Sequence, residues 1–181
     1  LDAHGGASER DLPPGETDRI AAEVLAASTE HRQIAPFTAS QPDFDLEAAY
    51  AVTAAVRKAR IASGERPVGR KIGFTNRTIW PEYGVYAPIW SEMYDTTCCD
   101  LAATDGTLDL APLLEPRIEP EIAFGFRTAP QAGMSEAEIL GCAEWVAHGY
   151  EIVQSAFPGW KFQAPDTMAF YALHGVYRLG P

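Results

Sequence analysis

Apolar positions recur along this chain with two different periods, and the change of period divides it. From Asp18 onward Ile20, Ala21, Val24, Leu25 and Ala27 fall on one helical face, and the pattern fades near His31. After a proline-containing link, Asp43 and Asp45 place negative charge at the start of a second run (Leu46, Ala49, Tyr50, Thr53, Val56), and Gly64 supplies a left-handed stop. The spacing therefore predicts two helices before residue 66. Val68 to Phe74 reads as a short strand with Arg70 and Ile72 on one face and Lys71 and Gly73 on the other. Residues 76 to 100 are rich in aromatics and proline (Trp80, Tyr83, Tyr86, Trp90, Tyr94) with neither period, and are expected to form a long ordered loop against a site. Arg117 to Phe126 alternates: Ile118, Ile122, Phe124 and Phe126 face one way, Glu119, Glu121, Ala123 and Gly125 the other. Ser135 and Glu138 form a capping box, with Met134 and Ile139 as a staple, so a third helix is expected from about Glu136 to about His148. Gly149 should break it, Tyr150 to Ala156 should form a strand, and Gly175 to Leu179 should begin another.

Composition narrows the function without naming it. A hydrophobic content of 46% with 22% charged residues fits an ordinary globular protein and excludes collagen, coiled coil and disorder. Residues 1 to 15, without periodicity, read as a flexible lead-in. The net charge is -11 and the 14 Lys and Arg residues are scattered, which argues against nucleic acid. An acidic surface would also repel an organic acid, so an enzyme for such substrates needs local positive charge from a metal, a lysine or an arginine. No apolar run reaches membrane-spanning length and the first residues carry no signal pattern, so a cytoplasmic protein is expected. Cys98, Cys99 and Cys142 read as reduced thiols, and His4, His31, His148 and His174 lack the spacing for a zinc site with them.

The alternation in Arg117 to Phe126 puts two carboxylates on one face. At a separation of about 7 Å and an effective dielectric of about 20, two such charges repel by roughly 2 kcal/mol. A cation would relieve that repulsion, and so would exposure to water. Glu151 lies thirty residues after Glu121, past the third helix, where a strand–helix–strand unit could bring it alongside. Three carboxylates without histidine or cysteine suit Mg²⁺ or Mn²⁺. Spacing alone leaves a metal site and a solvated acidic face both open.

Three segments, GRKIGFTN at 69 to 76, EPEIAFGF at 119 to 126 and HGYEIVQSAFPGWKFQAPDTMAF at 148 to 170, together resemble the 2-keto-4-pentenoate hydratase and 4-oxalocrotonate decarboxylase branch of the fumarylacetoacetate hydrolase superfamily. The resemblance covers roughly residues 17 to 181. It implies an α+β fold, with a helical N-terminal region over 16–66 and a mixed β-roll catalytic domain over 67–181. It further implies Mg²⁺ or Mn²⁺ on Glu119, Glu121 and Glu151, a small unsaturated 2-oxo acid as substrate, Lys71 in catalysis and substrate binding, and Lys161 in substrate binding. Such an acid chelates a metal through its carboxylate and keto oxygen, and the metal stabilises an enolate. Two departures stand out. Where hydratases resemble one another in a Pro-Asp-aromatic-Gly segment, this chain has Pro88-Ile89-Trp90-Ser91, and where the family has Asn-Ala-Ser it has Tyr171-Ala172-Leu173, followed by His174. Ile89 cannot move a proton, so tautomerisation or decarboxylation is expected over hydration, with His174 as the candidate replacement acid/base.

Two other readings stand beside this lyase. An acylpyruvate-type carbon–carbon hydrolase would use a His–Glu pair, for which Glu30 and His31 are adjacent but diverge on a helix. An inactive partner subunit would keep the metal site without turnover. The start at Leu1 and the stop at Pro181 lead to the expectation of a roll incomplete at its C-terminus, with reduced cover over Ile122, Phe124, Ile152 and Val153, and of a homo-oligomer when complete.

Overall fold

A computed structural model of the chain describes residues 12, 13 and 15–181, so most of the lead-in expected over residues 1 to 15 lies outside the described residues. Helix α1 (Glu16–Thr29) buries Ile20, Ala21, Val24 and Ala27, the stripe its spacing predicts. After a single turn, α2 (Phe37–Ser40), helix α3 (Leu46–Ala62) starts where the Asp45 carboxylate accepts from the Ala48 N–H at 2.9 Å. It buries Ala48, Ala49, Val52 and Val56 and ends ahead of Gly64, whose φ of 100° is the left-handed conformation expected of it.

The helices share one core with a segment far along the chain. Ile20, Val24, Val52 and Val56 pack with Phe157 and with Met168 and Phe170, which belong to or flank helix α6 (Ala164–Ala169). Asp166 fastens this segment to α2, accepting from the Thr38 N–H at 3.0 Å and the Thr38 hydroxyl at 2.6 Å.

Two sheets carry the rest. Strand β1 (Pro67–Gly73) pairs antiparallel with β2 (Ile89–Tyr94), and a short helix, α4 (Trp80–Tyr83), lies between them. The second sheet is ordered β3-β6-β5-β4, where β3 is Cys98–Asp100, β4 is Arg117–Phe126, β5 is Ala143–Val153 and β6 is His174–Leu179. Strand β3 runs parallel to β6, and the other neighbours are antiparallel. This is an α+β arrangement, and no helix among the described residues is long and apolar enough to cross a membrane.

Three expectations need correction. Residues 76 to 100 are not one loop: they contain α4, β2 and β3, and in β2 the buried Ile89, Ser91 and Met93 alternate with the less buried Trp90 and Glu92. The third helix, α5 (Glu136–Cys142), has its capping box but ends six residues early. The strand after it begins at Ala143, not Tyr150, because β4 offers a ten-residue partner whose register pairs Trp145 with Gly125 and Val146 with Phe124. Tertiary pairing outweighs the weak helical preference of this stretch. Gly149 therefore sits inside a strand, where its missing side chain leaves room for Tyr177 from β6.

Candidate metal centre

The register of the second sheet builds the site. Glu119 on β4 stands directly opposite Glu151 on β5, and Glu121, two residues along β4, stays on the same face. One carboxylate oxygen from each of the three lies within 4.8 Å of the others. Three acidic groups this close want positive charge, and the surroundings treat them unequally. Glu119 opens toward solvent, Glu121 is half-buried, and Glu151 is buried.

Glu151 has its countercharge in the protein. Lys71 Nζ lies 2.7 Å from one of its oxygens and His174 Nδ1 2.7 Å from the other. Burial would push the Glu151 carboxyl up, but the His174 hydrogen bond and the Lys71 charge outweigh it and hold it below the usual carboxylate range. Burial pushes His174 down more than the carboxylate lifts it; its Nδ1 faces Glu151 and its Nε2 lies 2.9 Å from the Thr97 hydroxyl. This orders Glu151 as outer partners order a metal ligand.

Glu119 and Glu121 lack such compensation. Burial raises both carboxyls above their ordinary value; the charges of Glu151 and Glu119 add to the rise at Glu121, and Lys71 opposes it at Glu119. An all-oxygen donor set with one ionised member and two strained upward fits a hard divalent cation, whose charge would reverse the local penalty.

Beside Glu119 a cavity of about 230 Å³ opens, with room for a small acid. Lys71 and Arg117 line it, placing positive charge at its wall in an otherwise acidic protein. Its apolar wall includes Ile89, Phe162 and Leu173. Ile89 and Leu173, the two departures from the family pattern, thus both face the cavity. Leu173 closes a run of three residues with left-handed backbone, Tyr171, Ala172 and Leu173 at φ 55°, 50° and 63°. Such a conformation costs roughly 1–2 kcal/mol per residue, and the turn is held by hydrogen bonds from Leu173 N–H to Phe170 at 2.8 Å and from Gln154 N–H to Leu173 at 2.9 Å.

Lys71 reaches Glu151, and Glu119 and Glu121 lie beside it in the same cluster. His174 is close too, but it lies behind Glu151 with both ring nitrogens engaged and does not line the cavity. Lys161 is exposed and outside the cavity lining, although its neighbours Trp160 and Phe162 belong to it. Glu30 is tied to Arg32 at 2.6 Å and His31 is exposed at the end of α1, so that pair forms no part of this site. Arg117 and Thr97 were missed. Arg117 was legible, since it shares the alternating face of Glu119; Thr97 was not, since only the β3–β6 pairing brings it to His174.

No family model matches the chain. Among curated proteins it is 35% identical over 153 residues to a 2-hydroxyhexa-2,4-dienoate hydratase of Comamonas testosteroni, covering 82% of this chain and 56% of that protein. It is 32% identical over 171 residues to a 2-keto-4-pentenoate hydratase of Paraburkholderia xenovorans (strain LB400), covering 93% of this chain and 62% of that one. It is 30% identical to a 2-hydroxypent-2,4-dienoate hydratase of Pseudomonas putida, covering 87% of this chain and 71% of the relative. The chain thus spans between 56% and 62% of the length of the first two of these relatives. Its fold matches that of a 4-oxalocrotonate decarboxylase from Pseudomonas putida G7, solved with magnesium and adipate, at a TM-score of 0.88 and 23% identity over 95% of this chain and 65% of that one. The chain belongs to the 2-keto-4-pentenoate hydratase family, in the hydratase and decarboxylase branch of the fumarylacetoacetate hydrolase superfamily.

Proposed function

We propose that this chain forms the metal-binding part of a lyase for small unsaturated 2-oxo acids, with Mg²⁺ or Mn²⁺ held by Glu119, Glu121 and Glu151, and that its two sheets belong to a mixed β-roll. The observation that carries the reading is the convergence of three carboxylates within 4.8 Å beside a cavity lined by Lys71 and Arg117. The related hydratases and the magnesium-bound decarboxylase support it. A bound divalent cation supplies an electron sink for the enolate of a 2-oxo acid.

The chain's own residues do the rest. Arg117 and Lys71 draw the anionic substrate in, and Lys71 holds a carboxylate or gives up a proton at Nζ. Phe162 and the other apolar walls keep water from the carbon skeleton. Neither Ile89 nor Leu173 can deliver water or a proton to the far end of the substrate, so tautomerisation or decarboxylation is favoured over hydration.

One experiment tests both halves. Mn²⁺ binding is followed by calorimetry for the protein and for Glu119→Gln, Glu121→Gln and Glu151→Gln, and the products formed from a 2-oxo-enoate are identified by NMR as its ultraviolet absorbance falls. Each substitution should weaken Mn²⁺ binding, and the ketonised or decarboxylated acid should predominate. Unchanged binding in all three variants overturns the metal assignment, and efficient formation of a 4-hydroxy-2-oxo acid overturns the preference against hydration.

A further inference from the structure

Tyr177 is the residue of this site that nothing described so far uses. It lies on β6 directly opposite Glu151, on the face of the sheet that carries the three glutamates. Its side chain crosses β5 at Gly149, where a Cβ would run into its hydroxyl. Gly149 is in turn the cross-strand partner of Glu121. The phenol is thereby led across the middle strand toward the Glu121 side of the cluster, away from the substrate cavity, which it does not line.

The hydroxyl is buried and has no hydrogen-bond partner among the described residues. A buried donor without an acceptor costs about 1–3 kcal/mol, so a position that keeps one calls for a reason. Burial weighs most on the phenol, and the Glu121 carboxylate comes next, ahead of Cys98 and Glu151. Both Glu151 oxygens are already engaged, by Lys71 and His174. Burial pushes the Cys98 thiol up, and a thiol sulfur is a weak acceptor. Glu121 alone of the three has a carboxylate that no side chain among the described residues bonds, its own partner being the Ile122 N–H.

We propose that Tyr177 is a positioning residue of the metal centre: its hydroxyl, unpaired among the described residues, is the donor that the Glu121 carboxylate takes up when it turns to hold a cation, a role like that of His174 and Lys71 at Glu151. The proposal rests on the metal reading above. A Cβ at 149 would meet both the phenol and the Arg178 carbonyl of β6, so glycine here serves the strand packing as well as the path of the phenol.

The test is Mn²⁺ titration of the protein and of Tyr177→Phe, read by calorimetry and by the electron paramagnetic resonance of bound Mn²⁺, with thermal melts of both in chelator. Tyr177→Phe keeps the ring and removes only the hydroxyl. Loss of an outer-shell partner typically lowers metal affinity by roughly 10- to 100-fold; a fall of that size with a changed resonance line shape is expected, while the metal-free melting temperature is unchanged or slightly raised. Equal affinity and line shape for Tyr177→Phe overturn the proposal and leave the metal reading intact. A metal-free melt that drops while Mn²⁺ affinity holds also overturns it, since the hydroxyl would then be structural only. No Mn²⁺ binding by the unaltered protein removes the metal reading and this proposal with it.

Discussion

The helical layer and the outer face of the β4–β5 sheet are written in the same alphabet of periodic apolar residues and end in opposite environments. Ile20, Val24 and Val52 on α1 and α3 are fully buried, packed on the rings of Phe157 and Phe170. On β4 the equally regular Ile118, Ile122 and Phe124 stay 64%, 61% and 46% exposed, while on the opposite face of the same sheet Glu151 is 2% exposed. Period reports which residues share a face, and it does not report what covers that face. Here cover follows position along the strands: Glu151 and Ile152 are buried on opposite faces of β5, while Glu119 and Ile118 across from them on β4 are open.

The sharpest break of this contrast is in the core. Phe157 is fully buried and meets Phe37, Phe162 and Phe170 edge to face at 6.3, 6.0 and 6.1 Å, joining the helices to the segment that leads to the site. Phe157→Ala should destabilise the fold by about 3–5 kcal/mol in urea melts. A loss below about 1 kcal/mol would show that this shared core is not what holds the helices to the sheets. Next in size comes the contrast inside the site. Glu151→Gln leaves Lys71 and His174 around a neutral amide in a buried setting and should cost about 2–3 kcal/mol, somewhat less than the full removal of one member of a buried pair. Glu119→Gln, at the open end, relieves repulsion and should leave the metal-free stability unchanged or slightly raised. Equal losses for the two variants would mean that the three glutamates share one environment.

What could be read ahead of the structure divides along the same line. The α1 stripe, the negative charge at Asp45 and the Glu119/Glu121 face are local patterns found where their spacing puts them, whereas α3 buries Ala48, Ala49, Val52 and Val56 and shares only Ala49 and Val56 with the stripe expected of it. The Ser135–Glu138 box marked where α5 begins, but nothing local marked its end, since Ala143 to Ala147 fit either period until β4 supplies a partner. Strand β2 was hidden by its aromatics, although Ile89, Ser91 and Met93 alternate inward. The supports of the site, Thr97 behind His174 and Tyr177 over Gly149, come from register between strands distant in sequence, and a single chain read from end to end carries no trace of them.

The smallest expected effect tests the open half of the comparison. Ile122 sits at the middle of β4, paired with His148 on β5, with most of its surface in solvent. A lysine there can lay its methylene stem on the neighbouring strand and keep its charge in water. Little buried area is lost, and surface changes of this kind usually stay within about 0.5 kcal/mol. Ile122→Lys should therefore leave the urea midpoint and the Mn²⁺ affinity nearly unchanged, the latter because the substitution lies on the face opposite the glutamates. Contiguous exposed apolar surface of this kind is also where proteins associate, so sedimentation is run on the same samples. A cost above about 2 kcal/mol, or an assembly that falls apart in the variant, would mean that the face is covered in solution, and the contrast between the two apolar regions would then be one of partner and not of environment.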